Sequence, residues 1–263
     1  MTFKLLSYNV RFGGRGRETL LARAVTEAAP DLVLLQEASD TRVVERVAAE
    51  AGFEHWAAHP GYSLAYLSHI PIQRYEWHRP RGSKRHFIEL EPEGLGLTVY
   101  GVHLAAVHSL WTERRRSREL RALLAWIGAR ADSFHVVAGD FNTLAPGEVL
   151  DVRRLPPRLR PLVWLSGGRV RYETIQIMLA AGYVDGFRHL HPEERGYTFP
   201  TWDPHVRLDY VFLPARYAER LAECRVHIEG EANRHGSDHF PLSAELSEPP
   251  AVAGGSVLRL NGR

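Results

Sequence analysis

The sequence predicts an α/β fold built on mixed sheets. Short apolar runs rich in β-branched and aromatic residues recur along the chain. Helical-period stretches separate several of them, and hairpin-like pairs of runs occur where no helix intervenes. Residues 3–10 read as a strand. Residues 19–29 read as a helix that stops before Pro30, because proline disfavours helical backbone in the residue before it. Leu32–Gln36 is almost wholly apolar, as a strand covered on both faces must be. Residues 42–51 are helical and end at Gly52. Strands follow at 63–68, 85–90 and 96–103. The longest helical stretch is 111–130, with Leu120, Leu123, Leu124 and Ile127 at helical spacing. Residues 134–138 form a strand that runs into Gly139-Asp140-Phe141-Asn142. An excursion rich in Pro, Gly and Arg occupies 143–171, then a helix 172–181 and strands at 208–213, 224–228 and 240–246. From Ser247 the composition shifts to Pro, Ala, Gly and Ser without amphipathic pattern, so residues 1–246 are expected to form one domain and 247–263 a tail outside it.

Composition narrows the function. The chain has 263 residues, 44% of them hydrophobic, enough for a sizeable core. A formal net charge of +2 gives a weak overall field, unlike the strongly basic balance of many nucleic-acid binders. Arginines cluster locally at Arg114, Arg115, Arg116 and Arg118, where a solvated helix face is the simpler reading. A single cysteine, Cys224, excludes an internal disulfide framework and a thiolate zinc site. The first ten residues turn polar too soon for a signal peptide, and no apolar run approaches the roughly 20 residues of a membrane span. A cytoplasmic location is the default expectation.

Polar residues gather at the predicted strand ends. Asn9, Glu37 and His103 each close an apolar run; Asp140 and Asn142 follow another; Asp209 opens one; Asp238 and His239 lie in the turn before Phe240. Rims of sheets are where α/β folds place their sites. Singly, each residue fits a turn or a cap. Together they have the composition that phosphoryl chemistry requires. Glu37, Asp238 and Asn9 supply hard oxygen ligands for a cation such as Mg²⁺, while Asp140, His239, His103 and Asn142 supply groups to activate water and to steady charge on oxygen.

Six motifs occur in order: Ser7-Tyr8-Asn9-Val10, Leu34-Leu35-Gln36-Glu37, Val102-His103-Leu104, Gly139-Asp140-Phe141-Asn142-Thr143, residues 207–212 (Arg-Leu-Asp-Tyr-Val-Phe) and residues 236–241 (Gly-Ser-Asp-His-Phe-Pro). This set resembles the endonuclease/exonuclease/phosphatase superfamily, over nearly the whole chain. The resemblance implies a four-layer α/β sandwich, two packed mixed sheets flanked by helices. It implies that Glu37, with Asn9 and Asp238, holds a catalytic Mg²⁺ or Mn²⁺, that Asp209 orients His239, that Asp140 positions or activates the attacking water, and that Asn142 and His103 bind non-bridging oxygens. Either Asp140 or His239 could take the proton.

Two departures argue against abasic-site repair and for the deoxyribonuclease, phosphatase and lipase side of the family. Ala38 and Ser39 follow Glu37 where abasic-site enzymes usually carry Thr and Lys, and His103 stands where they carry Tyr. His69 replaces a common arginine, which argues against a substrate contact there. Phe199 and Trp202 are candidates for an aromatic rim, and Arg207 for a hold on the substrate phosphate or the site carboxylates. The expected function is hydrolysis of a phosphodiester or phosphomonoester by in-line water attack, a nucleic acid being one candidate substrate. A non-catalytic binding module would show a broken metal or histidine position, and none is broken.

Overall fold

The computed structural model describes residues 2–106, 109–128, 133–154, 157, 160–161 and 172–247. Two six-stranded sheets lie face to face. The first contains β1 (Thr2–Asn9), β2 (Leu32–Gln36), β3 (His55–Ala58), β4 (Leu64–Ser68), β11 (Leu221–Val226) and β12 (Leu242–Ser247), in the order β11-β12-β1-β2-β4-β3. The second contains β5 (Ile72–His78), β6 (Phe87–Pro92), β7 (Leu97–His103), β8 (Phe134–Asp140), β9 (Tyr183–Asp185) and β10 (Asp209–Pro214), in the order β5-β6-β7-β8-β10-β9. The pairs β1/β2 and β7/β8 are parallel, and each is joined through a helix: α1 (Glu18–Ala28) in the first case, α3 (Leu110–Gly128) in the second. The other pairs are antiparallel.

The period-two geometry of a strand explains the unbroken apolar runs. Leu5, Leu32 and Leu34 point between the sheets and meet Ile88, Val99, Val136, Ala138 and Val211 from the opposite sheet. Their neighbours Leu6, Tyr8, Val33 and Leu35 point outward, under α1 and α2 (Thr41–Ala51). On the second sheet Tyr100, Val102, Val137 and Phe212 point outward beneath α3 and α4 (Glu173–Ala180). Helix, sheet, sheet, helix is the four-layer sandwich the motif set implies. Gly101 lets the two sheets approach closely: a Cβ there would stand 2.5 Å from Ile88 Cγ2 and 2.9 Å from Leu34 Cδ2.

Several boundaries differ from the sequence reading. Five short elements go unpredicted: β3, β5, β9, α5 (Gly186–Leu190) and α6 (Glu231–His235). Strand β12 continues through Ser247, which pairs with Thr2, so the expected tail loses its first residue to the sheet. The rest of that tail, residues 248–263, lies outside the described residues, as do 129–130 of the predicted long helix and 162–171 of the predicted excursion.

The strand ends converge at one end of the sandwich. Asn9 is level with Gln36, His103 with Asp140, and Asp140 with Asp209. Gly139 makes this possible. Its φ is 143°, and a Cβ would fall 2.0 Å from the Val102 carbonyl oxygen. Gly139→Ala is therefore expected to cost on the order of 3 kcal/mol and to lower the melting temperature by several degrees. A change smaller than about 2 °C in a thermal melt would show that the strand end relaxes without cost.

Candidate active site

Asp140 ends β8 and is 1% exposed. Its Oδ2 accepts from Asn9 Nδ2 at 2.9 Å and from Asn142 Nδ2 at 2.8 Å; its Oδ1 accepts from the Asn142 backbone N–H at 2.8 Å. Asn9 belongs to the first sheet, so its bond to Asp140 crosses the sandwich. Asn142 reaches back through a left-handed turn, φ 52°, and also donates to the Leu104 carbonyl at 3.2 Å. Asn9 Nδ2 lies 3.5 Å from Glu37 Oε1 as well, and ties the two carboxylates together.

His239 donates from Nδ1 to Asp209 Oδ2 at 2.8 Å, and both are buried. That bond leaves Nε2 for the site. Burial opposes the His239 charge, yet Asp209, by charge and hydrogen bond, with Asp140 and Asp238 behind it, carries its pKa up to about 10. Burial pushes the Asp140 carboxyl up to about 7; Asp209 adds to the rise, while His239 and the donors Asn142 and Asn9 restrain it. His103 behaves oppositely. Burial, then the charges of Arg85 and His239, bring it down to about 3, so it is a neutral imidazole. Its Nε2 is 3.8 Å from Asp140 Oδ2, and its buried Nδ1 has no hydrogen-bond partner.

Glu37 follows β2 with φ 56°. Its Oε2 accepts from the Phe12 N–H at 2.5 Å, and its carbonyl accepts from Gly13 N at 3.0 Å. The loop after β1 is wrapped around it, with Arg11 and Phe12 both at positive φ. Asp238 stands across the mouth, its Oδ2 3.2 Å from Arg11 Nε. Ser237 binds the Asn9 carbonyl at 2.6 Å and so fixes the Asp238–His239 turn to the end of β1.

The residues present fit a hard divalent cation. Glu37 and Asp238 are oxygen donors at the open side, and Asp209 Oδ1 is a buried carboxylate oxygen without a hydrogen-bond partner. Asp140, Asp209 and His239 offer ligand atoms all within 4.8 Å of one another. The last two are already joined through a shared proton, so the open carboxylates are the freer donors. Asn9 faces Glu37 and Asp140 with its N–H group, while its Oδ1 accepts from Arg11 N at 2.9 Å.

All eight residues of the sequence-based set thus gather at one end of the sandwich. Other expectations change. Arg207, 0% exposed, binds Asp185 at 2.6 Å and Glu148 at 2.8 Å; it braces the loop beside β9 and holds none of the site carboxylates. In the arginine cluster Arg116 is buried against Glu113 at 2.8 Å, so that helix face is not simply solvated. His69 stacks on Phe53 beyond the far end of β4, away from the site. Phe199 packs on the His239 ring at 4.8 Å, while Trp202 is 67% exposed and near Arg11. Arg11 and Arg17 are absent from the sequence-based set. Arg17 donates to the Val10, Arg11 and Gly236 carbonyls and clamps the two site loops together, a role with no sequence signal because its partners are backbone atoms.

The His239 shift has a definite sign in stability. A raised histidine pKa means the folded state binds the proton more tightly, so the stabilisation is complete below about 6.5 and fades towards about 10. The metal-free protein is expected to melt well above its Asp209→Asn variant at pH 6, with the gap closing near pH 10. A gap that widens with pH would remove the charged His239–Asp209 pair.

Residues 6–239 match the model of the endonuclease/exonuclease/phosphatase family. A DNA-(apurinic or apyrimidinic site) endonuclease of Arabidopsis thaliana is 31% identical over 77 residues, 25% of this chain and 21% of that protein. Recombination repair protein 1 of Drosophila melanogaster is 34% identical over 74 residues, 25% of this chain and 10% of that protein. The chain therefore spans only a small part of these curated relatives. Among solved structures, the 3′ phosphatase NExo from Neisseria bound to a product DNA hairpin superposes with a TM-score of 0.71 at 20% identity, covering 93% of this chain and 99% of that one. An AP endonuclease from Archaeoglobus fulgidus superposes at 0.69 and 21% identity, covering 92% and 98%. Among the described residues no helix is long and apolar enough to cross a membrane. With its sandwich, its paired His239 and Asp209, and this match over most of its length, the chain belongs to the endonuclease/exonuclease/phosphatase family.

Proposed function

We propose that the chain is a divalent-metal-dependent hydrolase of phosphate esters, with residues 1–246 as its catalytic domain. The observation that carries this reading is the pair of opposed ionisations beside one another: a charged His239 held by Asp209, and a buried Asp140 held by two asparagines. Glu37 and Asp238 would hold Mg²⁺ or Mn²⁺, and Asn9, expected as a third ligand, turns its N–H group to Glu37 and Asp140 and would brace those carboxylates. Such an ion supplies Lewis-acid polarisation of a phosphoryl oxygen.

The chain's own residues do the rest. Asp140, raised to about 7, is a competent base for a water proton near neutral pH, and Asn9 and Asn142 orient its lone pairs towards the site. His239 is already charged by Asp209, so it serves as donor and not as base: its Nε2–H steadies negative charge on a non-bridging oxygen. His103 is neutral and turns its Nε2 towards Asp140, 3.8 Å away, which suits a hydrogen-bond donor to a substrate oxygen at that side of the site. Water attack in line with the leaving oxygen then breaks the ester bond.

Two measurements test the reading. Turnover of phosphate esters is expected to vanish in EDTA and return with Mg²⁺ or Mn²⁺, and Glu37→Gln to weaken metal binding measured by calorimetry without loss of fold. Full turnover by chelated protein would overturn the metal requirement. In a double-mutant cycle, His239→Ala and Asp209→Asn should each cost on the order of 10²-fold in turnover, and the double variant little more than His239→Ala. Strictly multiplicative losses would separate the two residues.

A further inference from the structure

The end of the molecule that carries the site also carries positive charge that the proposed reaction does not use. Residues 79–86, Arg-Pro-Arg-Gly-Ser-Lys-Arg-His, join β5 to β6 and include four permanent cations and no acid. Several arginines elsewhere are paired with carboxylates: Arg74 with Glu89 and Glu91, Arg116 with Glu113, Arg207 with Asp185 and Glu148. Among the described residues, Arg79, Arg81, Lys84 and Arg85 have no carboxylate partner. The loop is shaped from within by Ser83, which is 7% exposed. Ser83 Oγ accepts from Arg85 N at 3.0 Å and donates to the Arg85 carbonyl at 2.7 Å, and Ser83 N donates to the Pro80 carbonyl at 2.9 Å. This leaves Arg79, Arg81 and Lys84 exposed, and Arg85 Nε buried without a hydrogen-bond partner.

The loop is fixed beside the site. Strand β6 runs antiparallel to β7 with Ile88 opposite Gly101, and two further residues of that register bring His86 level with His103. His86 stacks on Tyr62 at 3.9 Å, and Tyr62 stacks on His59 at 3.8 Å. Tyr62 belongs to the first sheet's approach to β4, where Gly61 N donates to the Ser39 carbonyl and Ala38 N to the Ser63 carbonyl, next to Glu37. The loop is thus joined to both sheets. On the opposite flank, towards β9 and β11, lies a groove of about 1050 Å³ of mixed charge, its walls including Arg195, Arg225 and Arg234 with Glu194, Glu223 and Glu229, and the exposed Trp202. Strand order places the site between these two flanks.

We propose that the loop 79–86 binds backbone phosphates of a nucleic-acid strand lying across the site, outside the phosphate that is cut. The inference rests on the phosphoesterase reading of the site. A small phosphate monoester or diester brings one phosphate, and the site itself consumes it; exposed cations on a loop to one side of the site are matched by a chain whose phosphates repeat beyond the one that is cut. Trp202, 67% exposed at the mouth, offers a ring face to an unpaired base, which an anionic lipid headgroup has no use for.

The test is direct binding of a fluorescent single-stranded oligonucleotide by anisotropy, in EDTA, to the full chain and to an Arg79→Gln/Arg81→Gln/Lys84→Gln variant. Affinity at about 50 mM salt should fall at least about tenfold in the variant, and the slope of log affinity against log salt should flatten by about 2, as expected for three lost phosphate contacts on a single strand. An Arg79→Lys/Arg81→Lys variant keeps the charge and should keep the slope, which separates lost charge from a damaged fold. Equal affinity and equal slope in the glutamine variant would overturn the proposal, as would loop-dependent binding to phosphatidylserine vesicles with none to the oligonucleotide. Wild-type turnover of bis(4-nitrophenyl) phosphate with Mn²⁺ checks the phosphoesterase reading apart from this one. Loop-dependent oligonucleotide binding without such turnover would overturn that reading and leave the loop a nucleic-acid contact; turnover without oligonucleotide binding would do the reverse.

Discussion

A carboxylate buried at the seam of two sheets must be met by hydrogen-bond donors or give up its charge, and Asp140 imposes that condition on everything near it. One donor, Asn9, comes from the facing sheet; two come from Asn142, one residue past Phe141. Meeting Asp140 from both sides sets how β1 stands over β8. It also requires a strand end without a side chain at Gly139 and a left-handed turn at Asn142. Glu37 is held by the same Asn9 amide, so both carboxylates depend on one short side chain. Local backbone conformations that are unfavourable for Asn142 and Glu37 persist because the surrounding hydrogen bonds leave no alternative.

The arginines divide into two populations with different physics. Arg116 and Arg207 are buried and paired, and their guanidinium groups knit the second sheet's outer helix and loop together. Their charges are neutralised where they stand, so they add nothing to the field outside. Arg79, Arg81 and Lys84 are exposed and have no carboxylate partner among the described residues, and Arg11 shares its charge with Asp238 at the mouth of the site. A net charge of +2 conceals this arrangement, because a sum over the chain cannot distinguish a neutralised cation from a free one. Local pairing governs what an approaching polyanion meets.

The sequence was most legible where burial is two-sided. Strands β1, β2, β4, β7 and β8 read directly as apolar runs because each alternate side chain enters a core. The unpredicted strands are those that burial does not mark: β3 is half-exposed along its length, β5 alternates under weak cover at a sheet edge, and β9 has three residues. The eight site residues were legible because strand ends with polar residues form a pattern in order along the chain. Arg17 was not, since its function is to bind carbonyl groups, which every residue has. Arg207 was legible as an important charge but not for its partners, because Glu148 and Asp185 lie far from it in sequence and carry no motif of their own.

Three ionisable groups within one buried volume are kept in three different states, and each state follows from its neighbours. His239 has a carboxylate at hydrogen-bond distance and two more nearby, so it keeps its proton. His103 has no such partner, since Asp140 stands 3.8 Å away and does not hydrogen-bond it; burial, then the positive charges of Arg85 and His239, keep it neutral. Burial raises the Asp140 carboxyl, the His239 cation holds the rise back and Asp209 adds to it, so its pKa settles at about 7. Exchanging the two histidines' surroundings would reverse their protonation, although their exposures are the same at 5%. Burial alone therefore does not set the state. In the proposed reaction this separation is what allows one residue to accept a proton while another donates a hydrogen bond a few ångströms away. It depends on Asp209 facing His239 and not His103, which follows from the antiparallel pairing of β10 with β8 on the side away from β7.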